Sequence, residues 1–197
     1  MPRRRTLIHF PIVHSAEDLG GLAEARKQAR ADEAELERHE QAVAAIWSHI
    51  EQAAKALPVT GRGWRIYQDG LPVCGRELDI VNQLAAAGSR NHRLVKALVS
   101  RGAVLMGTEL GELLVEEYSL QKQVLEQGRD SAETRELAAA LLRRRDRFVA
   151  DRIDETLRAG ETGILFLGAA HHLDEWLAED IDVQHPIGKP SVAVRES

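Results

Sequence analysis

Two kinds of apolar spacing alternate along the chain. Short, largely apolar runs fall at 5–13 (RTLIHFPIV), 64–69 (WRIYQD), 103–108 (AVLMGT) and 163–168 (GILFLG), and each reads as a buried strand. Between them, apolar residues recur at three- and four-residue steps and predict helices at about 16–57, 76–87, 89–101, 110–127 and 131–159. Gly61, Gly88, Gly102, Gly128 and Gly160 punctuate these stretches, and Pro58 stops the first of them. A short helix at about 174–178 and a strand near 181–183 close the pattern. The tail at about 185–197, with Pro186, Gly188 and Pro190, is expected to be loosely ordered.

Strands separated by helices predict one α/β domain over 1–197, helix-rich, with a largely parallel central sheet. The helix after the first strand is divided in character. Its later part carries Val43, Ile46, Trp47, Ile50, Ala54 and Leu57 on one face, whereas Glu24 to Gln41 is almost entirely Ala, Arg, Glu, Gln and Lys. That earlier part is expected to project into solvent or to lie against a second copy of the chain, which predicts a homodimer through the long helix.

Composition narrows the functional classes. Lys+Arg 26 against Asp+Glu 31 gives a net charge of −5, which argues against a general affinity for nucleic acid. Cys74 is alone, so neither an internal disulfide nor a cysteine zinc knuckle can form. No apolar run approaches the roughly 20 residues that span a bilayer. The basic N-terminus lacks the apolar length and cleavage pattern of a signal peptide, so a soluble cytoplasmic protein with no membrane partner is expected.

The candidate chemistry lies where strands end. The first strand finishes at His14, the second at Gln68-Asp69, the third at Glu109 and the fourth at His171. In an open parallel sheet these side chains meet at one edge, the edge at which such folds bind ligands. Two imidazoles and two carboxylates suit a divalent metal with nitrogen and oxygen ligands, and equally suit metal-free acid–base chemistry. Against this stands the ordinary role of a polar strand-end residue as a cap or solvated loop residue. His9, in mid-strand, reads as a packed core histidine, whereas the roles of Cys74, His92 and His172 stay open. Helical spacing puts Arg145 and Arg152 on the apolar face of the 131–159 helix, with Arg143 and Arg147 outward. Glu117 lies within the apolar arc of its own helix. An internal Glu117–arginine pair bracing two helices competes here with a substrate-binding role for these residues.

The segment GILFLGAAHHL resembles the Gly-x-x-His motif of the TraB/Tiki group, within the wider ChaN and erythromycin-esterase-like assemblage. Upstream, RRRDRFVADRI is similar to the Arg-Asp helix of that group at Arg145 and Asp146, and the strand ending in His14 is similar to its N-terminal histidine motif. Pro11 stands where that motif has glycine, and Gln68-Asp69 stands where a glutamate is usual. The resemblance implies an α/β fold with a site built from two histidines, a carboxylate and the arginine helix. Members include metal-dependent proteases, a macrolide ester hydrolase and a haem-binding protein. The expectation is therefore a metal-dependent hydrolase of a small-molecule or peptide substrate. His14 and His171 would hold Mn, Co or Zn, with Asp69 or Glu109 adding oxygen and the other carboxylate taking the proton. Arg145 and Arg152, with Gln68 and Glu117, would meet the substrate. The alternative is a non-catalytic protein that holds haem or another anionic ligand in the same site.

Overall fold

The structure, a computed structural model, describes residues 4–13, 33–127 and 131–188. Five strands form one sheet: β1 (Arg5–Ile12), β2 (Trp64–Gln68), β3 (Val104–Met106), β4 (Thr162–Gly168) and β5 (Ile181–Gln184). Their order is β3-β2-β4-β1-β5, and every pairing is parallel. The helices are α1 (Glu33–Ala56), α2 (Glu77–Ala86), α3 (Arg90–Ser100), α4 (Gly111–Gln127) and α5 (Ala132–Thr156). The expected helix-rich α/β fold with a parallel sheet is what the chain adopts.

Strand β4 explains the arrangement. All its residues from Gly163 to Gly168 are buried, as a strand covered on both faces requires. Alternate side chains go to opposite layers. Ile164 and Phe166 join Ile8, Phe10, Ile12 and Ile66 in a core closed by Trp47, Ile50 and Ala54 of α1 and by Leu94, Val95 and Leu98 of α3. Phe10 and Phe166 are register partners whose rings stack with centroids 5.4 Å apart. On the other face Leu165 and Leu167 meet Leu7, Tyr67 and, from α5, Val149 and Ile153. Helix α5 therefore covers this face of the sheet, with Asp154 near the start of β1 and Arg145 near the residues that follow β2 and β4.

Several expectations need adjustment. The third strand is three residues long rather than reaching Thr108. Beyond Met106 the amides of Thr108 and Glu109 both donate to the Leu71 carbonyl, at 2.9 and 3.0 Å, so the chain bends toward the turn after β2. Gly107 makes that bend close: a Cβ there would sit 2.7 Å from Val73 Cα and 3.0 Å from the Pro72 oxygen. Gly107→Ala is accordingly expected to cost about 1–3 kcal/mol by overpacking, read as a lowered urea midpoint. Segment 174–178 is a turn, not a helix. It has a single i→i+4 backbone bond, Leu177 to Leu173 at 3.2 Å, too little to establish a helix. Of the expected tail, His185 packs on His9, with ring centroids 5.2 Å apart.

The long helix is described from Glu33 onward, and the expected stretch 16–32 lies outside the described residues. Trp47, Ile50 and Ala54 are buried, while residues 37–42 are exposed, in keeping with a divided helix. Arg5, from the N-terminal arginine cluster, has a structural use. It bonds Asp180 at 2.8 Å, and also the Asp154 carboxylate at 2.7 Å and its carbonyl at 2.9 Å, so β1 is tied to α5 and to the start of β5. No described helix is long and apolar enough to cross a membrane.

Candidate metal centre

Strands β2, β3 and β4 are adjacent and parallel, so the residues that follow them share one sheet edge. Asp69 follows β2, Glu109 lies just past β3 and His171 comes three residues after β4. One ligand atom from each lies within 4.8 Å of those of the other two, a buried Asp–Glu–His group that can hold a metal ion. Their exposures are 6%, 0% and 5%.

Each member is fixed by a second bond. Asp69 Oδ2 accepts from the Gly168 amide at 2.8 Å, which docks the end of β2 on the end of β4. Glu109 Oε1 accepts from the Gly70 amide at 3.4 Å. The His171 imidazole meets Asp146 through Nδ1 at 2.6 Å, and Asp146 also accepts the His172 amide at 3.1 Å. With Nδ1–H given to Asp146, Nε2 keeps its lone pair and lies 3.7 Å from Asp69 Oδ2. A carboxylate–histidine pair of this kind sets the tautomer and orientation that metal ligation or proton acceptance requires.

Arg145 sits at the centre. Its Nε and one terminal nitrogen donate to Glu109 at 3.0 and 2.6 Å, and that same nitrogen donates to Asp69 at 2.9 Å. The other terminal nitrogen pairs with Glu117 at 2.8 Å. The internal pair bracing α4 and α5 is thus present, with Arg144–Glu116 at 2.8 Å beside it on the surface. Glu117, with 34% of its side chain exposed, connects the cluster to solvent. The ionisation balance follows the same contacts. Burial pushes the Glu109 carboxyl up, and Arg145 opposes that shift without cancelling it. Burial alone would lower His171, yet the bond to Asp146 and the nearby Asp69 outweigh it, and the imidazole is raised.

The other expected residues fall elsewhere. His14 lies outside the described residues. Gln68 is in register with Phe166 and so takes the face opposite Asp69, with its side-chain amide donating to the Asp69 carbonyl at 3.1 Å. Arg152 turns to the Gly107 carbonyl at 3.1 Å and to Glu155 at 3.6 Å rather than to the carboxylate pair. His92 is buried and bonds the helix-capping Ser89 at 2.7 Å, a structural role. Cys74 is exposed, and its amide donates to Glu77 at 2.9 Å. His172 is exposed at the rim. Asp146 is the member that spacing alone passed over, although it stands beside Arg145 in the Arg-Asp motif. Neither the family models, nor the curated proteins, nor the solved structures contain a match to this chain.

Proposed function

We propose that this protein is a metal-dependent hydrolase whose divalent ion is held by Asp69, Glu109 and His171. One observation carries the reading. Two buried carboxylates, Asp69 and Glu109, share one guanidinium and a third, Asp146, meets His171, so carboxylates outnumber the cationic side chains in this buried cluster. Buried charge of one sign is unfavourable unless a counter-charge joins it, and one divalent cation supplies that counter-charge. The donor set of two oxygens and one imidazole nitrogen suits Mn, Co or Zn. Arg145 does not exclude it, because Glu109 Oε2, which accepts from Arg145 Nε, has a second lone pair.

When bound, such an ion supplies Lewis acidity and a water of lowered pKa. The residues of the chain do the rest. Asp146 holds His171 Nδ1–H, so that Nε2 faces the carboxylates. Arg145 holds Asp69 and Glu109 together. Glu117, open to solvent over a third of its side chain, is placed to exchange protons between the cluster and water. Likeness to the TraB/Tiki group points the same way. Haem fits less well, since a flat macrocycle needs access to a ring nitrogen and His171 is 5% exposed.

The test is a panel of ester, phosphoester and peptide substrates assayed with Mn²⁺, Co²⁺ or Zn²⁺ and with chelator. Metal-dependent turnover is expected, abolished in His171→Ala and reduced about 10–100-fold in Asp146→Asn. Turnover that survives chelation but is lost in both variants would instead favour the second reading. There the close His171–Asp146 pair acts as a metal-free base. Turnover indifferent to chelator and to both variants would remove the site from consideration.

A further inference from the structure

His9, in the middle of β1, and His185, one residue past β5, form a second imidazole group. The β1–β5 register runs from Arg5↔Ile181 to Ile8↔Gln184, so the next pair in line sets His9 beside His185. Both belong to the face that carries Leu7 and Val183. Their ring centroids are 5.2 Å apart with the planes tilted by 55°. Two imidazoles bound to one tetrahedral ion, with nitrogen at about 2.0–2.1 Å, place their ring centres about 5 Å apart.

The protonation of His9 also fits a ligand. The side chain is 7% exposed, its ring bonds the Leu167 backbone, and Nε2 is buried with no hydrogen-bond partner. By elimination Nδ1–H is the donor to the Leu167 carbonyl, which leaves the Nε2 lone pair unused inside the protein. A ring N–H fixed on a backbone carbonyl is the usual second contact of a metal-binding histidine. Asp174, in the turn after His172, is close enough to His9 to act on its charge from the solvent side.

We propose that His9 and His185 are the protein ligands of a second metal site, selective for imidazole-preferring ions such as Zn²⁺, Ni²⁺ and Cu²⁺, with water completing the coordination. Its ligands are distinct from Asp69, Glu109 and His171, although His171 lies close enough to His9 to act on its charge.

The test uses the full-length protein stripped with chelator. Zn²⁺ is titrated by calorimetry, and Cu²⁺ is added for electron paramagnetic resonance, in which bound imidazole nitrogens split the signal. Wild type and His171→Ala should both show a copper signal with two-nitrogen splitting. His185→Gln, at the end of the short edge strand, and His9→Leu should each lose that signal and one equivalent of Zn²⁺. If the first centre holds nothing, wild type binds one equivalent and His185→Gln still abolishes it, so the two sites can fail separately. A wild type without bound copper, or splitting and stoichiometry unchanged in His185→Gln, overturns the assignment.

Discussion

Arg145→Met is expected to destabilise the fold by about 3–5 kcal/mol, a large part of the about 5–15 kcal/mol that holds a typical domain together. Methionine keeps the length and apolar stem of arginine but removes the charge. The side chains of Asp69 and Glu109 are 2% and 0% exposed, and three of the bonds they accept come from this guanidinium. Without it, two like charges face each other in a dry site, and breaking a buried pair from one side is more costly than never having built it. The loss should shrink as pH falls toward 5, because protonation removes the repulsion. The triple variant Arg145→Met/Asp69→Asn/Glu109→Gln should recover much of it. Urea unfolding of the three proteins at two pH values provides the check. An Arg145→Met protein within about 0.5 kcal/mol of wild type would mean that the cluster does not exist as described.

The second large effect is loss of stability in mild acid, caused by His9. Its pKa is about 4 in the folded protein against an ordinary 6.5, so between those values the unfolded chain binds the proton that the folded one refuses. Stability from this group is complete above about pH 6.5 and is lost as pH falls toward about 4. By pH 4.5 the loss is about 2.5 kcal/mol. Two other groups act in the opposite sense. His171 and Glu109 have raised pKa values, so their contributions fade as pH rises and do not fade in acid. The pH dependence of wild type minus that of His9→Leu, both measured in chelator, isolates the His9 share. A difference that stays flat from pH 7 to 4.5 would show that His9 titrates normally.

Much of this site is legible in the sequence because the strand ends announce it. WRIYQ before Asp69 and GILFLG before His171 are apolar runs that lead directly into polar residues, and parallel order carries both to one edge. Glu109 was reachable in the same way, although its strand is shorter than its apolar run and the tight approach of Gly107 to Val73 places it. The sheet order itself is a long-range property, as is the choice of Arg145 over Arg152. Both arginines share one stripe of α5, but only Arg145 meets the carboxylates. Arg152, two turns on, reaches the Gly107 carbonyl. Asp146 was hidden because a buried acid beside a buried arginine has no periodic signature until its histidine partner is placed. The mid-strand position of His9 makes its burial legible, while its pairing with His185 depends on the β1–β5 register.

The most direct measurement is divalent-ion binding by the stripped protein, followed calorimetrically with Mn²⁺, Co²⁺ and Zn²⁺ in wild type, Asp69→Asn, Glu109→Gln and His171→Ala, with His185→Gln as background to remove the other imidazole site. One equivalent bound in the His185→Gln background, and lost or weakened at least about 100-fold when any of the three ligands is replaced, is the expected result. Binding that is absent in that background, or equally tight in all three ligand variants, would contradict a metal centre at Asp69, Glu109 and His171.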